Sequence, residues 1–280
     1  MEYKNKRFTG ERALFGEKGS CFDGCIFDDG ESPLKHSQDI KCILTAFEWK
    51  YPLWYSRDIS LENCTFHTGA RAGIWYTENI SLRNCSIGAP KEFRRSKGIH
   101  IENSSFTDAK ETLWSCEGVS LVNVSSNGDY FGMNSKGIRA ENFSLDGNYA
   151  FDGASDCVFE NCRLITKDAF WNCEHIIVRN SFISGEYIGW NSKDITFENC
   201  IIESLQGLCY IEGLKMKGCR LVNTDLAFEY STVDADIRSD IISVKNPSGG
   251  VIRAESIGEV IMDPARIDPS ATAVIQGEQK

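Results

Sequence analysis

Two columns of residues hold most of the chemistry this chain can offer. Trp54, Trp75, Arg94, Trp114, Met133, Asp152, Trp171, Trp190 and Cys209 recur every 19 to 21 residues. One position later come Tyr55, Tyr76, Arg95, Ser115, Asn134, Gly153, Asn172, Asn191 and Tyr210. Five of the six tryptophans fall in the first column. Its mixture of Trp with Arg and Asp predicts that it faces outward, because the core columns hold no charges. An outward aromatic row flanked by polar side chains suits sugar rings, which present an apolar face and hydroxyl edges. The candidate substrate-binding residues are therefore Trp75, Trp114, Trp171 and Trp190, with Arg95, Asn134, Asn172 and Asn191. Asp129, Tyr130 and Tyr187 join them from the preceding loops. The blander alternative is that the tryptophans lie partly covered by those loops.

The loops also supply the candidate catalytic groups. Two near-duplicates, Gly128-Asp-Tyr-Phe-Gly-Met-Asn-Ser135 and Gly185-Glu-Tyr-Ile-Gly-Trp-Asn-Ser192, lie three repeats apart. Their acids, Asp129 and Glu186, are then about 14 Å apart along the axis, beyond the roughly 5–9.5 Å of a glycosidase pair. Asp168 and Glu186 fall on adjacent repeats, with Lys167 beside them and Asp152 in the tryptophan column. Paired carboxylates serve as acid and base when burial or mutual repulsion separates their pKa values. Arg94 or Arg95 could instead take a proton beside a uronic carboxylate. Any set of charged loops contains such pairs, so the structural alternative stands beside each of these readings. His36, His67, His100 and His175 show no metal-ligand spacing, and no nucleophile elbow, phosphate loop or dinucleotide fingerprint is present. No metal or cofactor is expected.

These columns need a scaffold that repeats, and the sequence names it. The phrase Ile59-Ser-Leu-Glu-Asn-Cys-Thr-Phe66 returns at 80–87, 99–106, 119–126, 138–145, 157–164, 176–183 and 195–202. Weaker copies cover 20–27, 40–47 and 214–221. Such a period belongs to solenoids. Apolar residues at the first, third and eighth positions give strand alternation, a break at Asn, then a second short strand. A segment running from Leu53 to Ser56 and its equivalents reads as a further strand. The fold class is all-β: a single-stranded, right-handed parallel β-helix of about eleven or more rungs, since parallel crossovers are right-handed almost without exception. The column Asn63, Asn84, Asn103, Asn123, Asn142, Asn161, Asn180, Asn199 marks a sharp bend where left-handed backbone favours Asn. The expected arrangement is an inward, buried amide ladder. The next column, mostly Cys and Ser, reads as core.

Composition narrows the rest. The chain has 280 residues and a net charge of −10, with a pI near 5.0. That balance argues against nucleic acid or an anionic membrane as a general partner. Twelve cysteines follow the repeat and not a disulfide framework, and no CxxC pair exists. The opening residues carry no signal-peptide pattern. A cytoplasmic protein with reduced buried thiols is expected, with homo-oligomers allowed. One domain is expected over 1–280: an N-terminal cap at 1–11, regular rungs at 12–221, irregular closing rungs at 222–262, and a C-terminal cap and tail at 263–280.

The strings PLWYSRDI, RAGIWYTENI, KEFRRS, ETLWSC, GDYFGMNS, KDAFWNCE, GEYIGWNS, ESLQGLCYIE and LAFEYSTVDADI resemble a bacterial family, domain-of-unknown-function family 3737. The resemblance spans nearly the whole chain. It implies a β-helix of the pectin-lyase-like class and implies no activity or catalytic residue. The functional expectation is a carbohydrate-active protein, hydrolase or lyase-like, using the aromatic and charged outer face, with an oligosaccharide as partner. The alternative is a non-enzymatic scaffold that binds a glycan or a protein there.

Overall fold

The computed structural model describes residues 1–277. They form two compact units that divide between Leu145 and Asp146, and each is an all-parallel β-solenoid.

In the first unit one side of the coil is built from Glu2–Lys4, Lys18–Asp23, Gln38–Ile43, Arg57–Glu62, Glu78–Arg83, Lys97–Glu102, Glu117–Val122 and Lys136–Glu141. Each pairs in parallel with the next, so Ile40, Ile59, Ile80, Ile99, Val119 and Ile138 stand in one register. The six-residue strands Arg57–Glu62 and Glu117–Val122 alternate buried and less buried positions along their second half. This is the period-2 pattern that strand pleat imposes. The second side consists of two- or three-residue strands such as Ile26–Phe27, Ala46–Phe47 and Thr65–Phe66. Their phenylalanines face inward and stack, Phe27 on Phe47 at 5.2 Å and Phe47 on Phe66 at 4.6 Å. The coil spacing of ~4.8 Å matches a ring-stacking distance, so like residues fill the core by repetition.

In the second unit the same first side runs through Ser155–Glu160, Glu174–Arg179, Ser192–Glu198, Leu214–Val222, Thr232–Ile237, Gly249–Ala254 and Thr272–Gln276. A separate parallel pair, Asp240–Lys245 with Ser256–Ile261, belongs to the late coils, with Ile242 donating to Thr224 O and Lys245 to Ala227 O. Among the described residues the only helical turns are Thr68–Ala70 and Pro269–Ala271.

The asparagines depart from the sequence expectation. They take the left-handed backbone, with φ between 48° and 54°, but they are exposed and not buried. The corner turns each amide outward, while the next residue, Cys64, Cys85, Cys162 or Cys200, turns in and is buried. The ladder itself exists on the surface: Asn123 donates to Asn103 at 2.9 Å and Asn142 to Asn123 at 3.0 Å. A bend requires the φ, and amides one coil apart meet whether they point in or out.

The third side also differs. No strand is assigned from Leu53 to Ser56; only isolated bridges join Trp75 to Arg94 and Arg94 to Trp114. Alternate residues there are left-handed, including the buried Leu53, Phe93, Leu113, Phe151 and Phe170 at φ 57° to 63°. Such conformations cost on the order of 1 kcal/mol or more for a bulky residue. They persist because the N–H groups point alternately to the two neighbouring coils: Leu53 donates to Pro33 O and Tyr55 to Trp75 O.

The paired ladder also reaches further than the regular phrases. Glu2–Lys4 pairs with Lys18–Asp23 and places Asn5 at the corner, with φ 50°. The first residues thus form a coil where a cap was expected. Thr272–Gln276 pairs with Gly249–Ala254, so a coil strand lies within the expected C-terminal cap and tail. The final three residues of that tail lie outside the described residues.

One core residue is chemically unusual. Glu92 is fully buried. Its Oε1 accepts from the Gly73 N–H at 3.0 Å, and Oε2 has no partner. On the next coil the buried Thr112 Oγ1 is likewise without one. Gly73 makes the room, since a Cβ there would lie 2.5 Å from Oε2. Burial pushes the Glu92 carboxyl well above the usual range, against the opposing pull of the Gly73 and Ile74 N–H groups. The folded chain keeps this proton, whereas the unfolded chain releases it above the ordinary value of 4.5. Stability therefore falls as pH rises through and beyond that value. Glu92→Gln, neutral at every pH, is expected to flatten the decline. Urea midpoints of both proteins from mildly acidic to neutral pH check this, and parallel slopes would count against a neutral buried acid.

Candidate functional site

The tryptophan column does face outward, and its members from Trp54 to Trp190 are half-buried, whereas Cys209 is buried. Four indole N–H groups are tied to backbone carbonyls on the next coil: Trp54 to Ala72 at 2.5 Å, Trp75 to Lys91 at 2.7 Å, Trp114 to Tyr130 at 2.6 Å and Trp171 to Tyr187 at 2.7 Å. These bonds fix the rings against the coil.

In the first unit the ring faces are already occupied. Trp54 stacks on Trp75 at 5.1 Å with 8° between planes. The Arg94 guanidinium lies 4.4 Å from the Trp75 ring centre and 4.6 Å from that of Trp114. Glu111, not singled out by its sequence position, accepts from Arg94 at 3.3 Å and pairs with Lys91 at 3.1 Å. Trp75, Arg94 and Trp114 thus make a closed sandwich. Arg95, Asp129, Tyr130 and Asn134 lie on the same unit, and Tyr130 supplies the carbonyl that holds Trp114.

In the second unit the candidates do converge. A cavity of about 380 Å³ is lined by Tyr149, Lys167, Asp168, Trp171, Tyr187 and Trp190. Trp171 and Trp190 are tilted by 32°, with ring centres 6.3 Å apart, and Tyr187 meets Trp190 edge-on at 5.9 Å. Asp168 is only 3% exposed, and its Oδ1 has no hydrogen-bond partner. Burial raises its carboxyl above the ordinary value, Lys167 pulls it down and Glu186 pushes it up. Lys167 is held by Glu186 at 3.0 Å, its ammonium 5.7 Å from the Tyr187 ring.

Glu186 and Asp152 stay outside the lining. Glu186 is half-exposed and engaged with Lys167. Asp152 accepts from Asn172 at 2.8 Å, and Asn172 accepts from Asn191 at 2.8 Å, forming an exposed chain of side chains. Asp168 is therefore the only carboxylate in the lining.

The origin of the cavity can be read from its column. Tyr130, Tyr149, Asp168 and Tyr187 follow one another at intervals of 19. Within the second unit Asp168 takes the place of a ring between Tyr149 and Tyr187, two coil spacings or ~9.6 Å apart. Tyr149 carries the signal that position-by-position reading of the loops passed over. Gly185 lets the Glu186–Tyr187 loop lie close to the coil before it, since a Cβ there would meet Thr166 O at 2.1 Å. No group of three or more His, Cys, Asp or Glu able to hold a metal occurs among the described residues. No helix among them is long and apolar enough to cross a membrane.

A family model described as "Protein of unknown function (DUF3737)" matches residues 1–275. The chain belongs to that family. No curated protein matches it. Solved structures similar to this DUF3737 chain include the A-module of mannuronan C-5 epimerase AlgE4 from Azotobacter vinelandii, at 9% identity and a TM-score of 0.35, covering 98% of this chain and 86% of that one. The Streptococcus pneumoniae surface adhesin PfbA is 9% identical with a TM-score of 0.42, covering 98% and 91%. The catalytic domain of a GH87 α-1,3-glucanase is 11% identical with a TM-score of 0.39, covering 99% and 63%. These likenesses are too distant to bear on the chemistry of this chain.

The sandwich in the first unit gives a direct test. Arg94→Ala removes two cation–π contacts and leaves Glu111 with Lys91 alone. A loss of about 2 kcal/mol is expected, with a red-shifted tryptophan emission, and Arg94→Lys should recover only part of it. Thermal unfolding with fluorescence detection measures both, and an unchanged midpoint would mean that the stack is incidental.

Proposed function

We propose that this protein is a saccharide-binding β-helix whose site is the cavity of the second unit. One observation carries the reading: a buried carboxylate, Asp168, with an unpartnered oxygen in an aromatic-lined cavity. An unpaired buried polar atom costs free energy until a donor reaches it. A sugar offers both needed features, hydroxyl donors for Asp168 and an apolar ring face for Trp171, Trp190, Tyr149 and Tyr187. The volume suits one or two sugar rings. Lys167 disfavours a cationic ligand.

Binding is favoured over hydrolysis. A glycosidase needs two carboxyl groups at roughly 5–9.5 Å, and the lining supplies one. Glu186, the loop acid on the adjacent coil, is engaged by Lys167. Arg94 is committed to its tryptophan sandwich, which weakens the lyase alternative.

Isothermal titration against a panel of neutral oligosaccharides tests this. Trp171→Ala and Asp168→Asn are each expected to weaken binding by about 10- to 100-fold, as loss of one good stacking or charge-assisted contact implies. Trp190→Ala should do the same, whereas Trp114→Ala should not. Absence of binding by the whole panel, or equal affinity in Trp171→Ala, would remove the saccharide reading. Product formation that disappears in Asp168→Asn would instead make the site catalytic.

The raised Asp168 carboxyl adds a pH dependence. Its acceptor capacity is lost as pH falls toward a value above the ordinary 3.8. Affinity should therefore decline on mild acidification in the wild type and stay flat in Asp168→Asn. Titration at successive pH values reads the difference.

A further inference from the structure

A second cavity, of about 410 Å³, lies in the first unit. One wall is an aromatic stack: His36 on Tyr55 at 5.0 Å and 10°, and Tyr55 on Tyr76 at 4.7 Å and 7°. All three residues are left-handed, at φ 57° to 61°, which turns their side chains out of the coil. Stacking hides the ring faces and leaves ring edges and two phenol hydroxyls along the groove. Among the described residues neither hydroxyl has a protein partner. The opposite wall is the start of the long strands, where Lys18, Gln38, Arg57 and Glu78 stand in register on successive coils.

The charges on that wall are out of balance. Elsewhere in the same column a cation is answered by a carboxylate one coil away: Lys97 by Glu117 at 2.9 Å and, in the second unit, Lys193 by Glu212 at 3.4 Å. Here the neutral Gln38 stands between Lys18 and Arg57. Arg57 donates to the Gln38 amide oxygen at 2.7 Å, which orients the guanidinium without neutralising it. Glu78 neighbours Arg57 in register but makes no ion pair with it. Asp58 accepts instead from Asn79 at 3.1 Å and from Gln38 at 3.4 Å. Lys35 adds its charge nearby, 5.5 Å from the Tyr55 ring. A chain of net charge −10 thus lines this groove with two cations, Lys18 and Arg57, to one carboxylate, Glu78, beside phenol donors.

The second unit offers an internal comparison. The same columns there enclose about 290 Å³ lined by Asn191, Lys193, Tyr210, Glu212 and Tyr230, among others. The groove and tyrosines are present, but its lysine is paired with Glu212. The groove shape is therefore generic to the coil, and the unpaired charge is particular to the first unit.

We infer that the groove between Tyr55, Tyr76 and Arg57 is a second ligand site, selective for an anionic group carried on a hydroxylated ring. Arg57 supplies a fork for a carboxyl or phosphoryl group, and Lys18 supplies a point charge. The tyrosine hydroxyls and ring edges meet the ring that carries the anion. This site does not depend on the cavity at Asp168.

Titration with glucose, glucuronate and glucose 6-phosphate tests it, using the whole chain. Either anionic sugar should bind at least tenfold more tightly than glucose at this site. The affinity should fall several-fold between low and moderate salt. Whichever of the two binds better assigns a carboxyl or a phosphoryl group. Gln38→Glu restores the missing counter-charge with almost no change of shape, and it should reduce anion affinity at least tenfold while leaving the fold intact. Arg57→Ala should do likewise, and Trp171→Ala should leave anion binding unchanged. No binding of either anion at millimolar concentration, or binding that survives Gln38→Glu, would overturn the assignment.

Discussion

Hydrogen bonding between successive coils is the constraint on which everything else in each unit rests. A backbone that bends sharply at several corners per coil cannot satisfy its polar groups locally. They must be answered by the coil before or after, at a fixed spacing of ~4.8 Å. That requirement holds alternate residues of the third side in a left-handed conformation that Leu53 or Phe93 would not adopt alone. It also sets each side chain directly over its counterpart. The phenylalanine core, the surface amide ladder, the Trp54–Trp75 stack and the Tyr55–Tyr76 stack are four results of one geometry.

Much of this geometry was legible in the sequence because it is periodic. The 19-residue spacing, the inward Cys and Ser column and the outward tryptophan column all follow from which residue types recur. The direction of the asparagines did not follow. Left-handed φ and amide-to-amide bonding are the same on either side of the chain, so the residue type at a corner does not decide its facing. The first coil was also hidden, because Tyr3-Lys4-Asn5-Lys6-Arg7-Phe8 is short and charged. Only the paired neighbour at Lys18–Asp23 makes it a strand.

The candidate site was legible in part. Asp168, Lys167, Trp171, Tyr187 and Trp190 were each named by residue type and column, and they line one cavity. Asp152 and Glu186 look equivalent to Asp168 in sequence, but their side chains are spent on Asn172 and Lys167. Which acid is left with an unpartnered oxygen depends on neighbours one coil away, and a pattern read along the chain does not contain them. The same holds for Arg94. Its column suggests a free cation, and its neighbours make it the middle of a stack.

The Asp168 position has an implication for how surfaces of this kind diversify. A column of identical rings consumes its own faces and offers a visitor little but edges. Exchange one ring for a short acid and a slot opens, walled by the aromatics on either side and floored by the newcomer. No loop need lengthen and no corner need move. Recognition in such a coil is then written by omission: where a short side chain replaces a ring a guest can enter, and where a long one such as Arg94 replaces it the gap stays filled.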